Sequence, residues 1–79
     1  MEAYILMSTE ANALWNVAES TLKIEGVRTA HAVAGEFDVV ALVSFPKIED
    51  LGRILEKIQR LKGVRGTETL IAIPPPVRE

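Results

Sequence analysis

The stretch AHAVAGEFDVVALVSFP, residues 30–46, decides the fold because it predicts two antiparallel strands next to each other. Residues 27–34 and 38–45 both have strand composition. Only Gly35, Glu36 and Phe37 separate them, and so short a connection forces a hairpin. Pro46 ends the second strand, since proline cannot donate a ladder hydrogen bond.

A strand and a helix precede the hairpin, and a helix and a strand follow it. Residues 3–8 read as a strand, and Ser8 or Thr9 is suited to cap the first helix. Its predicted apolar face consists of Ala11, Leu14, Trp15, Ala18 and Leu22. After the hairpin come an amphipathic helix from Ile48 to Leu61 and a strand over residues 64–73.

An internal echo supports this order. LKIEGVRTAHAV, which begins at Leu22, resembles LKGVRGTETLI, which begins at Leu61, and both run from a helix end into a strand. Right-handed crossovers put both helices on the same side of the sheet. The prediction is an α+β, ferredoxin-like βαββαβ sandwich with a four-stranded antiparallel sheet and two helices on one face. Residues 1–73 form its single domain, and residues 74–79 an extended tail.

Composition excludes several functional classes. The chain has 79 residues, no cysteine and one histidine, so we expect no disulfide, metal site or cofactor. The formal net charge is −2 and the basic residues are scattered, which does not indicate nucleic-acid binding. No apolar run reaches the roughly 20 residues that cross a bilayer. Because the N-terminus also lacks a basic signal-peptide start, the expected location is cytoplasmic.

The strands predict association through the sheet. Residues 39–43 are apolar without interruption, and so are residues 4–7. Alternate side chains of a strand point to opposite faces, so both faces of the sheet carry apolar groups. Since helices cover only one face, we expect the other to pack against a second subunit, giving at least a dimer.

The pattern GVRTAHAVAGEFDVVALVSFPKIEDLGRILEKIQRLKGVRGTETLIAI, residues 26–73, resembles the effector (RAM) domain of the Lrp/AsnC regulators. The resemblance covers residues 3–73 and combines the hairpin around Gly35 and Asp38, the apolar helix, and TET at residues 67–69. The family's helix-turn-helix domain is missing from the pattern, which implies a stand-alone form without DNA binding of its own.

The resemblance implies a regulatory module rather than an enzyme. In that family the domain dimerises through its sheet, dimers assemble into rings, and a small amino acid binds between neighbouring dimers. Full-length Lrp/AsnC regulators are therefore candidate partners, besides further copies of the chain itself.

Gly35, Asp38, Thr67 and Thr69 are the first candidate ligand contacts. An amino acid needs acceptors for its ammonium group and donors for its carboxylate. Gly35 exposes the backbone of the turn, Asp38 supplies a carboxylate, and the two threonines project from one strand face. Ordinary turn and strand preferences explain the same residues, and it is the family's pattern that makes them candidates.

His31, Glu36 and Phe37 complete the candidate set. His31 precedes the turn and belongs to a residue type whose charge changes near neutral pH, although a strand histidine is more often a packing residue. Glu36 and Phe37 occupy the turn tip, where they would contact a ligand or another subunit.

Two other functional classes share this architecture. A dimeric α/β-barrel enzyme, such as a small monooxygenase or isomerase, also pairs such sheets, but it needs a base or cofactor ligand inside the barrel. An ACT-type regulatory domain shares the topology and the amino-acid ligand. The hairpin from Gly35 to Asp38, together with Thr67 and Thr69, favours the RAM assignment over the ACT one.

Overall fold

The computed structural model of the chain describes residues 1–77 and confirms the ferredoxin-like order βαββαβ. The elements are β1 (Glu2–Thr9), α1 (Leu14–Leu22), β2 (Val27–Ala32), β3 (Val39–Ser44), α2 (Ile48–Gln59) and β4 (Val64–Ile71). Within residues 1–77, neither helix is long and apolar enough to cross a membrane.

The four strands form one antiparallel sheet in the order β2-β3-β1-β4. The central strand β1 sets the register, with Met7 opposite both Val39 on β3 and Thr67 on β4. Each edge strand carries an irregularity near its start. The β2–β3 pairing shifts between Val27 and Thr29, and the β1–β4 pairing shifts between Ser8 and Thr9.

Both helices pack on one face of the sheet and enclose a single apolar core. The core consists of Ala3, Ile5, Met7, Val17, Ala18, Val39, Ala41, Val43, Phe45, Leu51, Ile54 and Ile58. On α2, the buried side chains recur at helical spacing and the charged ones lie opposite, as predicted. One polar side chain, Thr21 on α1, is fully buried, and its hydroxyl lies 3.6 Å from Met7 Sδ.

The predicted start of α1 was wrong, and its predicted apolar face was right for Ala18 and Leu14 but not for Trp15 and Leu22. Ser8 and Thr9 do not cap the helix, because β1 continues through Thr9 and the helix begins only at Leu14. Its buried residues are Val17, Ala18 and Thr21, whereas the Trp15 side chain is 70% exposed. The sheet thus includes the residues assigned to the helix cap, and the buried face of the helix is centred on Val17, Ala18 and Thr21.

Two glycine turns give the internal echo a structural basis. Gly26 follows α1 and Gly63 follows α2, and each has φ of 97°, a left-handed conformation that favours glycine. Each carbonyl also anchors another part of the chain. Gly26 O accepts a hydrogen bond from Ser44 N, and Gly63 O accepts one from Glu10 N, both at 2.8 Å.

The chain leaves the sheet after β4. Ala72 N still donates to Glu2 O at 2.9 Å, but Pro74, Pro75 and Pro76 have no N–H to donate. Residues 72–77 belong to no helix or strand, so β4 ends earlier than predicted. The domain boundary at residue 73 stays a prediction, and residues 78–79 of the proposed tail lie outside the described residues.

The sheet face that points away from the helices is called the open face. Alternation along the central strands assigns it, since Ala3, Ile5 and Met7 are buried under the helices while the residues between them are not. Its residues, matched by register across the strands, are Glu2, Tyr4, Leu6, Thr29, His31, Val40, Leu42, Ser44, Glu68 and Leu70. The centre of the open face is therefore apolar, as the sequence predicted.

Candidate functional site

The loop between β2 and β3 spans residues 33–38 and is closed at its base by its own backbone. Val33 N donates a hydrogen bond to Asp38 O at 2.9 Å. The loop is longer than the three residues predicted, because β2 ends at Ala32 and β3 begins at Val39. The hairpin itself was predicted correctly. The predicted end of β2 lay two residues too far into the loop, and the predicted start of β3 lay one residue too far into it.

Asp38 ties this loop to the end of the central strand. Its Oδ2 accepts hydrogen bonds from Thr9 N at 2.8 Å and from Thr9 Oγ1 at 3.3 Å. Its own backbone N donates to Met7 O at 2.9 Å. Within residues 1–77, Oδ1 accepts no hydrogen bond. Asp38 therefore holds the loop in place with one oxygen and has the other available.

An open cleft surrounds the Asp38 carboxylate. It is lined by the end of β1, the loop and the start of β4, through Ser8, Thr9, Glu36, Asp38, Arg65 and Gly66. The irregular pairing of β1 with β4 shapes one wall, because Arg65 falls between two paired residues and has no partner in the ladder. The irregularity thus places Arg65, which is unpaired in the ladder, in the lining of the cleft.

The cleft combines opposite charges at one place. Asp38 and Glu36 offer carboxylate acceptors, and Arg65 offers a planar, permanently charged donor. The hydroxyls of Ser8 and Thr9 add groups that can both donate and accept. Such a set is complementary to a small zwitterion, whose ammonium and carboxylate groups need opposite partners.

Thr67 and Thr69 do not line this cleft. Thr67 lies opposite Met7, and Thr69 opposite Ile5, so both threonines face the helices. Thr67 Oγ1 accepts a hydrogen bond from the side chain of Gln59 on α2 at 3.2 Å. The two hydroxyls share a face, as expected, but neither lies in the cleft lining around Asp38.

The other predicted residues are dispersed around the loop. Gly35 and Glu36 are exposed near its tip, and Phe37 is half-buried beside them. His31 is exposed on β2, opposite Val40, and therefore belongs to the open face. Of the seven candidates, Glu36 and Asp38 are the two that meet in the cleft.

Sequence reasoning missed four residues of the cleft: Ser8, Thr9, Arg65 and Gly66. The first two had been assigned to a helix cap, and Arg65 and Gly66 were not among the candidate residues. A signal was present, because the predicted topology already pairs β1 with β4 in antiparallel fashion. That pairing necessarily brings the end of β1 next to the start of β4.

A second cleft lies at the opposite end of the sheet, beside the turn after α1, the end of β3 and α2. Its floor includes Phe45 and Ile54, and the Arg53 guanidinium at its rim is paired with Asp50. None of the seven predicted residues lies there. Across residues 1–77, no cluster of three histidine or acidic side chains has the arrangement that would hold a metal ion.

Comparison with known proteins gives a consistent family match. The family model "Lrp/AsnC ligand binding domain" matches residues 2–79. An HTH-type transcriptional regulator of Pyrococcus furiosus is 42% identical over 57 residues, which cover 71% of this chain and 38% of that protein. The HTH-type transcriptional regulator FL11 of Pyrococcus abyssi is 30% identical over 73 residues, 92% of this chain and 48% of FL11.

A solved structure of similar length also matches. TTHA0845 from Thermus thermophilus superposes with a TM-score of 0.89 at 31% identity, covering 98% of both chains. By contrast, the chain spans less than half the length of the two regulators above. The similarity to those regulators therefore concerns one part of each.

Proposed function

The chain belongs to the Lrp/AsnC ligand binding domain family, and we propose that it is an amino-acid-responsive regulatory and oligomerisation module. In this proposal a small amino acid binds in the cleft around Asp38 and Arg65. Two subunits pair through their open faces, and the pairs associate further into a ring. Ligand binding at the contacts between pairs would then alter the assembly.

The charge arrangement of the cleft carries the ligand proposal. Asp38 Oδ1 and the Glu36 carboxylate would accept from the ammonium group, and Arg65 would hold the carboxylate in a forked geometry. A transcriptional regulator of the same fold, NMB0573 of Neisseria meningitidis, was solved as a complex with L-Met. Its identity to this chain is 20%, so the likeness concerns the fold, and the ligand class is an analogy.

The open face carries the dimer proposal. Its centre consists of apolar side chains from β1, β3 and β4, among which Tyr4 is 44% exposed and Leu70 is 46% exposed. A second copy is the natural occupant, because a two-fold interface uses the same patch on both subunits and apolar centres match each other. Burying this patch would also support a chain whose own core is small.

The shape of the cleft supports further assembly. It is open to solvent on one side, so a single subunit does not enclose a ligand. A neighbouring pair would complete the wall, with Gly35, Glu36 and Phe37 at the loop tip as its nearest contacts. Thr67, Thr69 and His31 take part in other contacts under this proposal.

The relatives favour regulation over catalysis, since they are transcriptional regulators. Both helices of the described residues pack on the sheet, so the DNA-contacting element of those regulators has no counterpart within residues 1–77. We therefore propose that the module also joins oligomers of full-length Lrp/AsnC regulators in the cytoplasm. Co-purification with such a regulator tests this part, and separation at every ligand concentration would contradict it.

A thermal-shift screen of the twenty amino acids tests the ligand proposal. A ligand that binds only the folded state at 100 times its Kd adds about 2.7 kcal/mol of stability. For a domain of this size that corresponds to a rise in Tm of roughly 10 °C or more. We expect a rise of this kind with at least one amino acid, and the absence of any shift would leave a purely structural assembly.

Arg65→Gln is the sharpest variant for this screen. We expect it to abolish the ligand-induced shift, because the cleft loses its cation while the exposed position contributes little to folding. Arg28→Gln is the matched control, since Arg28 holds the equivalent place in the internal echo and does not line the cleft. An unchanged shift in Arg65→Gln would remove the cleft from the proposal.

Asp38→Ala is a less selective test, because its carboxylate already binds Thr9. Losing the hydrogen bonds to Thr9 N and Oγ1 should cost about 1–3 kcal/mol of stability even without ligand. The Tm of Asp38→Ala with ligand must therefore be compared with the Tm of the same variant without ligand. A lowered baseline together with a lost ligand shift is the expected result.

A further inference from the structure

Two polar side chains, His31 and Glu68, lie at opposite edges of the open face in one cross-strand row. His31 on β2 is opposite Val40 on β3, Val40 is opposite Leu6 on β1, and Leu6 is opposite Glu68 on β4. The adjacent row runs Thr29, Leu42, Tyr4 and Leu70 in the same strand order. The open face thus has an apolar centre with a histidine on one edge and a glutamate on the other.

Two identical sheets that pack face to face are related by an axis lying between them. When the strands of the two sheets are aligned, that axis runs along the strands or across them. An axis along the strands places β2 against the partner's β4 and keeps each row opposite the same row. An axis across the strands places β2 against the partner's β2 and reverses the order of the rows.

The two arrangements place His31 and Glu68 against different residues of the partner. With the axis along the strands, His31 lies against the partner's Glu68, and an imidazole N–H can donate to that carboxylate in either protonation state. With the axis across the strands, Glu68 meets the partner's Glu68 if the axis passes through its row, or the partner's Leu70 if the axis passes midway between the two rows. The first of these opposes like charges, and the second covers a carboxylate with an apolar side chain.

The apolar centre of the open face is also compatible with the axis along the strands. With the axis along the strands, Leu42 packs on the partner's Tyr4, and Val40 packs on the partner's Leu6. Face-to-face sheets in such sandwiches keep their strand directions within roughly 30° of each other, so rows stay in approximate register near the axis.

We propose that the open faces pair about a two-fold axis parallel to the strands, with His31 of each subunit bound to Glu68 of the other. The inference rests on the sheet dimer proposed above and specifies its geometry. The symmetry produces two such pairs per dimer, one at each edge. These pairs fix the orientation of the two subunits, while the apolar centre supplies most of the stability.

Cross-linking of mixed variants tests this geometry directly. The chain has no cysteine, so His31→Cys and Glu68→Cys each introduce a single reactive thiol. We expect a short bis-maleimide reagent to give a covalent dimer from the two variants refolded together. Neither variant alone should give one, because equivalent positions lie three strand spacings and one sheet spacing apart, roughly 17 Å in total.

A charge exchange provides a second readout. His31→Glu opposes two pairs of like charges and should weaken dimerisation about tenfold or more. Adding Glu68→Lys to the same chain restores opposite charges at both edges and should recover most of the lost affinity. Sedimentation equilibrium measures the dissociation constants of the wild type and both variants.

A wrong axis and the absence of a sheet dimer give different results in these experiments. A covalent dimer from His31→Cys alone, or from Glu68→Cys alone, would assign the axis across the strands. A wild-type dimer that neither cross-links in the mixture nor responds to charge exchange would also overturn the proposed pairing. A wild type that stays monomeric at all concentrations would instead overturn the sheet dimer.

Discussion

Replacing Gly63 by alanine is expected to destabilise the fold by about 2–4 kcal/mol. The φ of 97° is unfavourable for any residue with a Cβ, at roughly 1–2 kcal/mol. A Cβ built at Gly63 would also lie 2.6 Å from Ala13 Cβ and 3.3 Å from Val17 Cγ2. Overpacking of this kind adds about 1–3 kcal/mol. A domain of this size has a total stability of about 4–12 kcal/mol, so the loss is large.

Gly52→Ala is the matched control for Gly63→Ala. Gly52 lies in α2, and nothing lies within 4 Å of the position of an added Cβ. Alanine there should stabilise the helix by up to about 1 kcal/mol. Urea unfolding at one fixed protein concentration measures both variants, because the proposed dimerisation would make stability depend on concentration. If Gly63→Ala unfolded within 0.5 kcal/mol of the wild type, the proposed steric role of the turn would be wrong.

Leu42→Glu is expected to convert the sheet dimer into monomers. Leu42 lies at the centre of the open face, and the proposed two-fold axis would make each substitution count twice. Losing two buried leucine contacts costs roughly 3–6 kcal/mol before the desolvation of two carboxylates is counted. The dissociation constant should therefore rise by a factor on the order of 10² to 10⁴.

Leu22→Glu is the control for the substitution in the open face. Leu22 is 52% exposed at the end of α1, on the helix side of the sheet. It should leave dimerisation through the open face unchanged. Light scattering on a size-exclusion column over a range of concentrations compares the two, and circular dichroism verifies that both variants fold. A Leu42→Glu protein that remained dimeric would exclude the open face as the interface.

The hairpin and the internal echo were sufficient to predict the fold. The short connection around Gly35 requires antiparallel neighbours, and the repeated turns at Gly26 and Gly63 divide the chain into two equivalent halves. These are local signals, so they can be read from one chain. The apolar centre of the open face could also be predicted, because Leu6, Leu42 and their neighbours break the alternation of a one-sided sheet.

The start of α1 could not be predicted from local signals. Ser8 and Thr9 are good helix caps, but Asp38 binds Thr9 from 29 residues away and keeps it in the sheet. With the first turn lost, the helix buries Val17 and Thr21 beside Ala18 and leaves Trp15 exposed. Long-range pairing therefore overrode a local preference.

The candidate site was predicted in part for a similar reason. Glu36 and Asp38 follow from the hairpin, and the structure places both in one cleft. Thr67 and Thr69 share a face by parity alone, but which face depends on the register with β1, which a single sequence does not reveal. Arg65 reaches the cleft because of an irregularity in the same pairing.

Further strands cannot add easily to the edges of the sheet, because β2 and β4 start irregularly and prolines follow β4. Both strands are edges, and a regular edge with free N–H and C=O groups can recruit further strands into fibres. On β2 the shift beside Val27 interrupts that template at the start of the strand. On β4 the shift beside Thr9 interrupts it at the start, and Pro74 to Pro76 cannot extend it at the end. These interruptions should limit strand addition at the edges, while the open face stays available for the proposed dimer.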